Sequence, residues 1–551
     1  MESGSPPSPL SSLRASIADA AFELKVLHES GIVAPLRPDK AAKIGSTFLR
    51  WGASPATGAA TAAIHHPHEI ALIDERGPLT FERMHRRSNA LARSFAEMGI
   101  GYGDGIGIMC RNHRGFVETT LAAAKLGASA LYLNTMFAGP QLVEVTRREG
   151  PKALVYDEEF AELLAGVDGG VARVVGWSDG ETDEATLEQL IAAGDESDLK
   201  PPPDKPRFVV LTSGTTGTPK GAQRSSPDGL LAIAALIDKI PFRSRETMMI
   251  AAPLFHSWGF FHFIMSLPTA STMVLRRRFD PEDTLRAVQK SRAQVLAAVP
   301  VMIQRILRLP PETLDKYDLS SLRITSLSGS ALPGELAIEW MDRFGDTIYN
   351  LYGSTEVAYA TVATPEDLRA APGTAGRPPR GTVVRLYDEN GREVPQGEVG
   401  RIFVGNEMSF EGYTGGGGKE IVDGLLCSGD VGHFDSAGRL FVDGRDDEMI
   451  VSGGENVFPR EVEDLLSDHE AVVEVAVIGV EDDEFGQRLK AFVVVTEDGA
   501  VGEDDLRAHV KANLASYKAP REIEFIPELP RNASGKILKR ELRERETQKS
   551  A

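Results

Sequence analysis

The feature that most constrains this chain is a short apolar run, Phe208-Val209-Val210-Leu211, which opens directly into Thr212-Ser213-Gly214-Thr215-Thr216-Gly217-Thr218-Pro219-Lys220-Gly221. The run reads as a buried strand. Glycines let the following backbone turn tightly and aim its N–H groups at one point. The hydroxyls add donors and Lys220 adds a positive charge, a combination suited to phosphate oxygens. The loop is not a Walker A sequence, because no Lys-Ser/Thr pair directly follows Gly217.

Strands and helices alternate on either side of this loop, which predicts an α/β architecture. Ala71-Leu72-Ile73 reads as a strand and Arg76-Gly77 as a turn. Leu79-Thr80-Phe81 leads into a helix through Met98, and Asp104-Gly105 turns into the strand Ile106–Met109. Residues 1–65 read as a partly helical leader. The acidic stretch Asp179–Lys205, with Pro201-Pro202-Pro203 near its end, reads as an exposed connector. Past Asp443-Gly444-Arg445 the elements become few: strands at Val473–Val480 and Leu489–Val495, helices near Pro459–Asp468 and Glu503–Leu514, and a charged tail. The expected division is a large domain over 66–443, a hinge at 444–447 and a small domain over 448–551.

A chain of 551 residues exceeds what one hydrophobic core usually serves. Sixty Lys and Arg against 80 Asp and Glu leave a net charge of −20. That disfavours a nucleic-acid binder, which needs a basic face for phosphates. It also requires any anion site to gather positive charge locally. Two cysteines, Cys110 and Cys427, are too few for a disulfide framework and lack metal-binding spacing, so both read as packing residues in a cytoplasmic protein. The apolar stretch Trp258–Leu275 is interrupted by polar residues and reads as core, not a membrane span. Membrane contact is expected to be peripheral at most.

The glycine-rich stretch resembles the phosphate loop of the adenylate-forming superfamily, which holds acyl-CoA synthetases, aryl-CoA ligases, luciferases and peptide-synthetase adenylation domains. The resemblance extends from about Glu69 to Arg543. It implies a large N-terminal domain of stacked α/β subdomains plus a distorted β-barrel, followed by a small mobile α+β domain. Thr212, Ser213, Gly214, Thr215, Thr216 and Lys220 are then the phosphate contacts. Gly329, Ser330 and Ala331, within Leu327–Pro333, match the small residues that let adenine lie against backbone. Many relatives have Gly or Ala where this chain has Ser330.

Tyr349-Asn350-Leu351-Tyr352-Gly353-Ser354-Thr355-Glu356 is similar to the family's adenine and magnesium motif. Tyr352 is implied to stack on adenine, with Gly353 and Ser354 beside it. Thr355 is implied to bond a phosphate oxygen, and Glu356 to hold Mg²⁺, which prefers oxygen ligands. Asp430, in Ser428-Gly429-Asp430, is implied to accept from ribose hydroxyls, with Arg445 in support. Pro530–Ile537 resembles the C-terminal motif whose lysine, here Lys536, enters the active site for adenylation. Asp447 occupies the hinge position, and Ser452–Pro459, with Gly453 and Gly454, matches the stretch lining the CoA channel.

The implied activity is that of an ATP- and Mg²⁺-dependent acid–CoA ligase acting on a small-molecule carboxylic acid, as a monomer or homodimer. His256, in Pro253–Gly259, matches a position bordering the acyl pocket. Trp258, Phe260, Phe261, Phe263 and Met265 could line an apolar tunnel, which favours a medium- or long-chain fatty acid, with plain core packing an equal reading. A carrier-protein-loading ligase or an aryl-acid ligase is the alternative. The Gly415–Gly418 run departs from the longer, Pro-containing loop usual in the family. A serine hydrolase of the same class would need a G-x-S-x-G elbow, and none is expected.

Overall fold

The computed structural model describes every residue except 1–8, 34, 53, 204–207, 213–219, 225–229, 409, 414–417, 449, 453–454, 483–485, 497–500, 515–517, 533–534 and 551. Two large sheets form the body of the molecule. One has eight strands, ordered Thr361–Ala363, Ile348–Tyr352, Ile324–Leu327, Val295–Ala298, Thr247–Ile250, Thr272–Leu275, Ile70–Asp74 and Gly77–Thr80. Its inner pairs are parallel and its two edge strands antiparallel. Inner strands such as Val295–Ala298 are buried along their whole length, as a sheet covered on both faces requires.

The second sheet has seven strands, ordered Phe410–Tyr413, Lys220–Arg224, Phe208–Thr212, Ser129–Tyr132, Gly105–Met109, Ala153–Asp157 and Ala172–Trp177. The helices Phe81–Glu97 and Arg114–Leu126 contribute to the largest core, together with residues of the eight-stranded sheet. Asn112 ties the sheets together. Its amide donates to the carbonyls of Ile250 and Ala252 at 3.2 and 2.9 Å, and its oxygen accepts from Leu254 N at 2.8 Å. A third, antiparallel sheet contains Val383–Tyr387, Gly400–Gly405, Leu425–Phe434 and Ile421–Val422, with Leu440–Arg445 beside Leu425–Phe434, and makes a half-barrel.

The C-terminal sheet has five strands: Glu455–Val457, Ile450–Ser452, Gly486–Val495, Val472–Asp482 and Glu522–Phe525. It has a core of its own, built around Val462, Leu466, Val477, Val493 and Leu506. The expected charged tail is the helix Lys539–Ser550, because Leu542 buries against this sheet's other face with Ile478 and Phe492.

Two expectations need correction. The connector is not merely exposed: it carries the helix Leu187–Ala193, with Leu187 and Ile191 buried, and Glu188 accepts from Arg87 at 2.7 Å. The leader also reaches into the fold, since the helix Pro55–His65 buries Ala56, Ala59, Ala60 and Ala62. Among the described residues, no helix is long and apolar enough to cross a membrane.

Candidate active site

Three neighbouring parallel strands, Val295–Ala298, Ile324–Leu327 and Ile348–Tyr352, end side by side. Loops at the carboxyl ends of such strands form the crevice in which α/β sheets bind ligands. Gly329 follows the middle strand with φ +92°, a conformation that favours glycine. Gly329 and Ala331 are exposed and Ser330 is half-buried, so this small-residue loop presents open backbone.

After Tyr352 the chain doubles back. A Cβ on Gly353 would lie 2.1 Å from the carbonyl oxygen of Ala358, and Ala358 itself has φ +61°. Ser354 builds this turn: its hydroxyl oxygen accepts from the backbone of Glu356 and Val357, both at 3.2 Å, and donates to Glu356 Oε2 at 2.9 Å. Asn406, from the half-barrel side, clamps the same loop by donating to the carbonyls of Val357 and Tyr359, each at 2.8 Å. Nothing in the sequence around Asn406 signals that task.

Asp430 and Arg445 are register partners on adjacent antiparallel strands, with Arg445 Nη1 3.5 Å from Asp430 Oδ1. The Tyr352 hydroxyl donates to Asp430 Oδ2 at 2.6 Å, an interaction the motif reading did not anticipate. Burial raises the Asp430 pKa, while the Tyr352 bond and the charges of Arg445, Lys536 and Lys419 oppose that rise. Lys419 was missed because it lies just past the glycine run. A Cβ on Gly429 would sit 3.3 Å from both Lys419 Nζ and Arg445 Nη2. The positive charge required of an anion site in this acidic chain is gathered here.

Lys536 is exposed at the tip of a tight loop. Its backbone N donates to Asn532 Oδ1 at 2.9 Å, its carbonyl accepts from Asn532 N at 2.9 Å, and Gly535 has φ +80°. The loop abuts the ends of the large sheet: a Cβ on Gly535 would meet Val301 Cγ1 at 2.5 Å and Val299 Cγ2 at 3.6 Å. The small unit therefore delivers Lys536 to the crevice that holds Asp430.

The glycine-rich loop lies between two paired strands, since Thr212 and Lys220 are antiparallel partners. Ser213, Gly214, Thr215 and Thr216 fall outside the described residues, as do Gly453 and Gly454. Asp447 sits in the 3₁₀ turn Asp446–Glu448. The turn is held on both flanks: Arg401 Nε lies 2.9 Å from Asp446 Oδ2, and Lys539 Nζ lies 3.2 Å from Glu448 Oε2.

His256 precedes the helix Ser257–Ser266 without a side-chain bond to its first turn, and its enclosed Nε2 has no partner among the described residues. Burial lowers its pKa to about 4, so the ring is neutral near pH 7. The expected tunnel residues pack largely on one another. Trp258 stacks on Phe261 with centroids 5.4 Å apart, and its indole donates to the carbonyl of Ala298 at 3.1 Å. Phe263 and Met265 are buried, while Phe260 and Phe261 are half-buried. Core packing accounts for most of this set.

Glu356 and Thr355 offer only oxygen donors at the crevice, which suits a hard cation that completes its shell with phosphate oxygens and water. Among the described residues, one group of three side chains could ligate a metal: Cys110, His113 and Asp157, all buried. It is already satisfied, with His113 Nε2 2.7 Å from Asp157 and His113 Nδ1 accepting from Gly115 N at 3.0 Å.

A G-x-S-x-G string does occur, contrary to expectation, at Gly176–Gly180. It is a turn rather than a nucleophile elbow. Ser178 hydrogen-bonds Glu158 Oε2 and the Gly180 carbonyl at 2.5 and 2.7 Å, and the next helix starts only at Leu187. Both nitrogens of nearby His113 are engaged, so that ring does not serve it as a base.

The sequence matches the family model for AMP-binding enzymes over residues 59–414 and that for the AMP-binding enzyme C-terminal domain over 461–536. A feruloyl-CoA synthase of an Amycolatopsis species is 35% identical over 492 residues, covering 87% of this chain and 96% of its own. A fatty acid–[acyl-carrier-protein] ligase of Streptomyces coeruleorubidus is 31% identical over 507 residues, covering 88% and 94%. The crystal structure of an anthranilate CoA ligase in complex with anthranoyl-AMP superposes with a TM-score of 0.80 at 25% identity, covering 89% of this chain and 97% of that one. Fold and crevice define a nucleotide-handling α/β enzyme completed by a small C-terminal unit. The chain belongs to the AMP-binding enzyme family, within the adenylate-forming superfamily. It is an enzyme of the AMP-forming acid–CoA ligase type, which uses ATP, Mg²⁺ and CoA.

Proposed function

We propose that this ligase activates a compact apolar acid, aromatic in preference to long-chain aliphatic, first as its adenylate and then as its CoA thioester. The observation that carries the mechanistic reading is the convergence of Arg445, Lys419 and Lys536 on half-buried Asp430 at the ends of the parallel strands. The preference for an aromatic acid is supported by the stacking of Trp258 on Phe261, which commits two of the expected tunnel residues to packing, and by the relatives named for feruloyl and anthranilate substrates. A fatty acid, the expectation from the apolar stretch, is the second reading and has the Streptomyces carrier-protein ligase on its side.

In this reading the substrate carboxylate attacks the α-phosphorus of ATP and pyrophosphate leaves. The protein supplies alignment and charge neutralisation rather than covalent chemistry. Lys536 offsets charge on the reacting phosphate, and the Thr212–Lys220 loop cradles the phosphates through Thr212, Ser213, Gly214, Thr215, Thr216 and Lys220. Thr355 bonds a phosphate oxygen. Glu356 would hold Mg²⁺, which would supply positive charge to the phosphates. Gly329, Ser330, Ala331 and Gly353 bound the adenine. Asp430, oriented by Tyr352 and Arg445, accepts from the ribose, while Ser354 shapes the turn that places Glu356. His256 borders the acid.

The small domain, 448–551, then turns about Asp447 relative to the large domain, 66–443. That withdraws Lys536 and brings Gly453 and Gly454 to line the CoA channel. One site serving two reactions accounts for the hinge. The ties at Asp446 and Glu448 confine the rotation to the residue between them.

The test is pyrophosphate release from ATP and Mg²⁺ with hydroxycinnamic, benzoic and arylacetic acids and with short, medium and long fatty acids, each with and without CoA. Acid-dependent release with acyl-CoA and AMP formed only when CoA is added, strongest for an aromatic acid, is expected. Highest activity on a long fatty acid would replace the first substrate reading by the second. An acyl-adenylate untouched by CoA would assign the acceptor to a carrier protein.

A further inference from the structure

The helix Pro300–Leu307 follows the central strand Val295–Ala298 and turns one face toward the small unit. Positions 301, 304 and 308 share that face by helical spacing. Val301 meets Gly535, the residue before Lys536. Gln304 and Arg308 both donate to the carbonyl of Val473, Gln304 at 3.4 Å. That carbonyl is free to accept because the pairing of Val472–Asp482 with Gly486–Val495 changes register between Val472 and Glu474. Such a bulge takes a residue out of the ladder and re-aims it.

The next residue closes the circuit. Glu474 Oε1 lies 3.1 Å from Arg531 Nη2, and Arg531 Nη1 donates to the Gly535 carbonyl at 2.5 Å. Contacts therefore run from Arg308 through Val473, Glu474 and Arg531 to Gly535, which returns to Val301 on the same helix. Across the same seam Asp468 of the small unit lies within electrostatic reach of Glu335.

We propose that Arg308 is a positioning residue for adenylation: its hold on the bulged Val473 carbonyl sets the Gly535–Lys536 loop against the strand ends, and the bond is given up when the small unit turns. This rests on the reading of Lys536 as the adenylation lysine. Misplacing a reacting group by about 1 Å costs on the order of 10²-fold in rate. Arg308→Met is therefore expected to lower acid-dependent ATP–pyrophosphate exchange by about 10- to 100-fold. Conversion of pre-formed acyl-adenylate and CoA to acyl-CoA should stay within about twofold, since that step needs the lysine withdrawn. Arg308→Lys, which retains a donor, should recover part of the exchange.

An equal fall in both half-reactions, or unchanged exchange, overturns the proposal. A measurement independent of the substrate accompanies it: hydrogen–deuterium exchange of the 530–538 backbone in the substrate-free protein. Faster exchange there in Arg308→Met than in the parent supports the docking circuit, and identical exchange overturns it. Lys536→Ala, assayed in parallel, separates the two readings. Full exchange activity in that variant would sink the role of Lys536 and with it the catalytic part of the proposal, while the 530–538 exchange still judges the circuit itself.

Discussion

Replacing Tyr352 by Phe removes one hydroxyl from the crevice and leaves the ring in place. The lost bond is 2.6 Å from the Tyr352 oxygen to Asp430 Oδ2, and Arg445, one of the three charged groups around it, stands at 3.5 Å. Hydrogen bonds to charged groups contribute about 1.5–3 kcal/mol. At about 1.4 kcal/mol per tenfold, that is roughly a 10- to 100-fold weakening of whatever the charged carboxylate organises. There is also a pH signature. Burial already raises the Asp430 pKa and the Tyr352 bond opposes it, so removing the bond raises it further. A higher carboxyl pKa protonates Asp430 at higher pH, and the protonated form is the poorer acceptor for ribose hydroxyls. The assay is the ATP dependence of acid-dependent pyrophosphate exchange across mildly acidic to mildly alkaline buffers. The Tyr352→Phe protein should show a KM for ATP raised about tenfold or more, and an acid limb of kcat/KM displaced to higher pH. A KM and profile superimposable on the parent's would refute the assignment of Asp430 to the nucleotide.

Three further outcomes follow from burial and close approach. Gly353→Ala places a methyl group 2.1 Å from the Ala358 carbonyl oxygen, so thermal unfolding should show a loss of about 1–3 kcal/mol, and a melting temperature equal to the parent's would contradict the geometry. Burial lowers the pKa values of His85, His256 and His262 from 6.5 to about 4. The unfolded chain binds these protons first, so their contribution is intact above pH 6.5 and is lost as pH falls toward 4. Urea midpoints should drop over that range, less steeply in His262→Phe, and an identical slope in that variant would count against the assignment. Cys110 and Cys427 are buried free thiols, so a thiol reagent should modify them only after denaturation, and rapid reaction of either in the native protein would be inconsistent with that burial.

The inner strands were legible because apolar runs bounded by turn residues leave few alternatives; Phe208–Leu211 and Ile106–Met109 fall within the strands observed. The pairing of Asp430 with Arg445 was also visible, because the resemblance sets both at one ribose. What escaped depends on contacts far apart in sequence. Tyr352 reads as an aromatic platform, and its hydroxyl's engagement with Asp430, 78 residues away, is set by how the half-barrel meets the large sheet. Asn406 and Lys419 carry no local pattern, because a clamp and a point charge are defined only by what they face. The aromatic stretch after His256 left two equal readings because core and tunnel walls use the same residues, and the stacking of Trp258 on Phe261 favours packing for that pair. The helix Leu187–Ala193 was hidden by the acidic composition around it, since the arginines that pair with its Glu188, Arg76 and Arg87, lie far back in the sequence.

The central claim, that one site forms an adenylate with Lys536 and then makes a thioester without it, is tested most directly by assaying the two half-reactions of Lys536→Ala. Acid-dependent pyrophosphate exchange should fall by roughly 10²–10³, the usual effect of removing a charge-stabilising contact, while synthetic acyl-adenylate and CoA still yield acyl-CoA at close to the parent's rate. Exchange at the parent's level, or loss of both half-reactions together, would contradict the account.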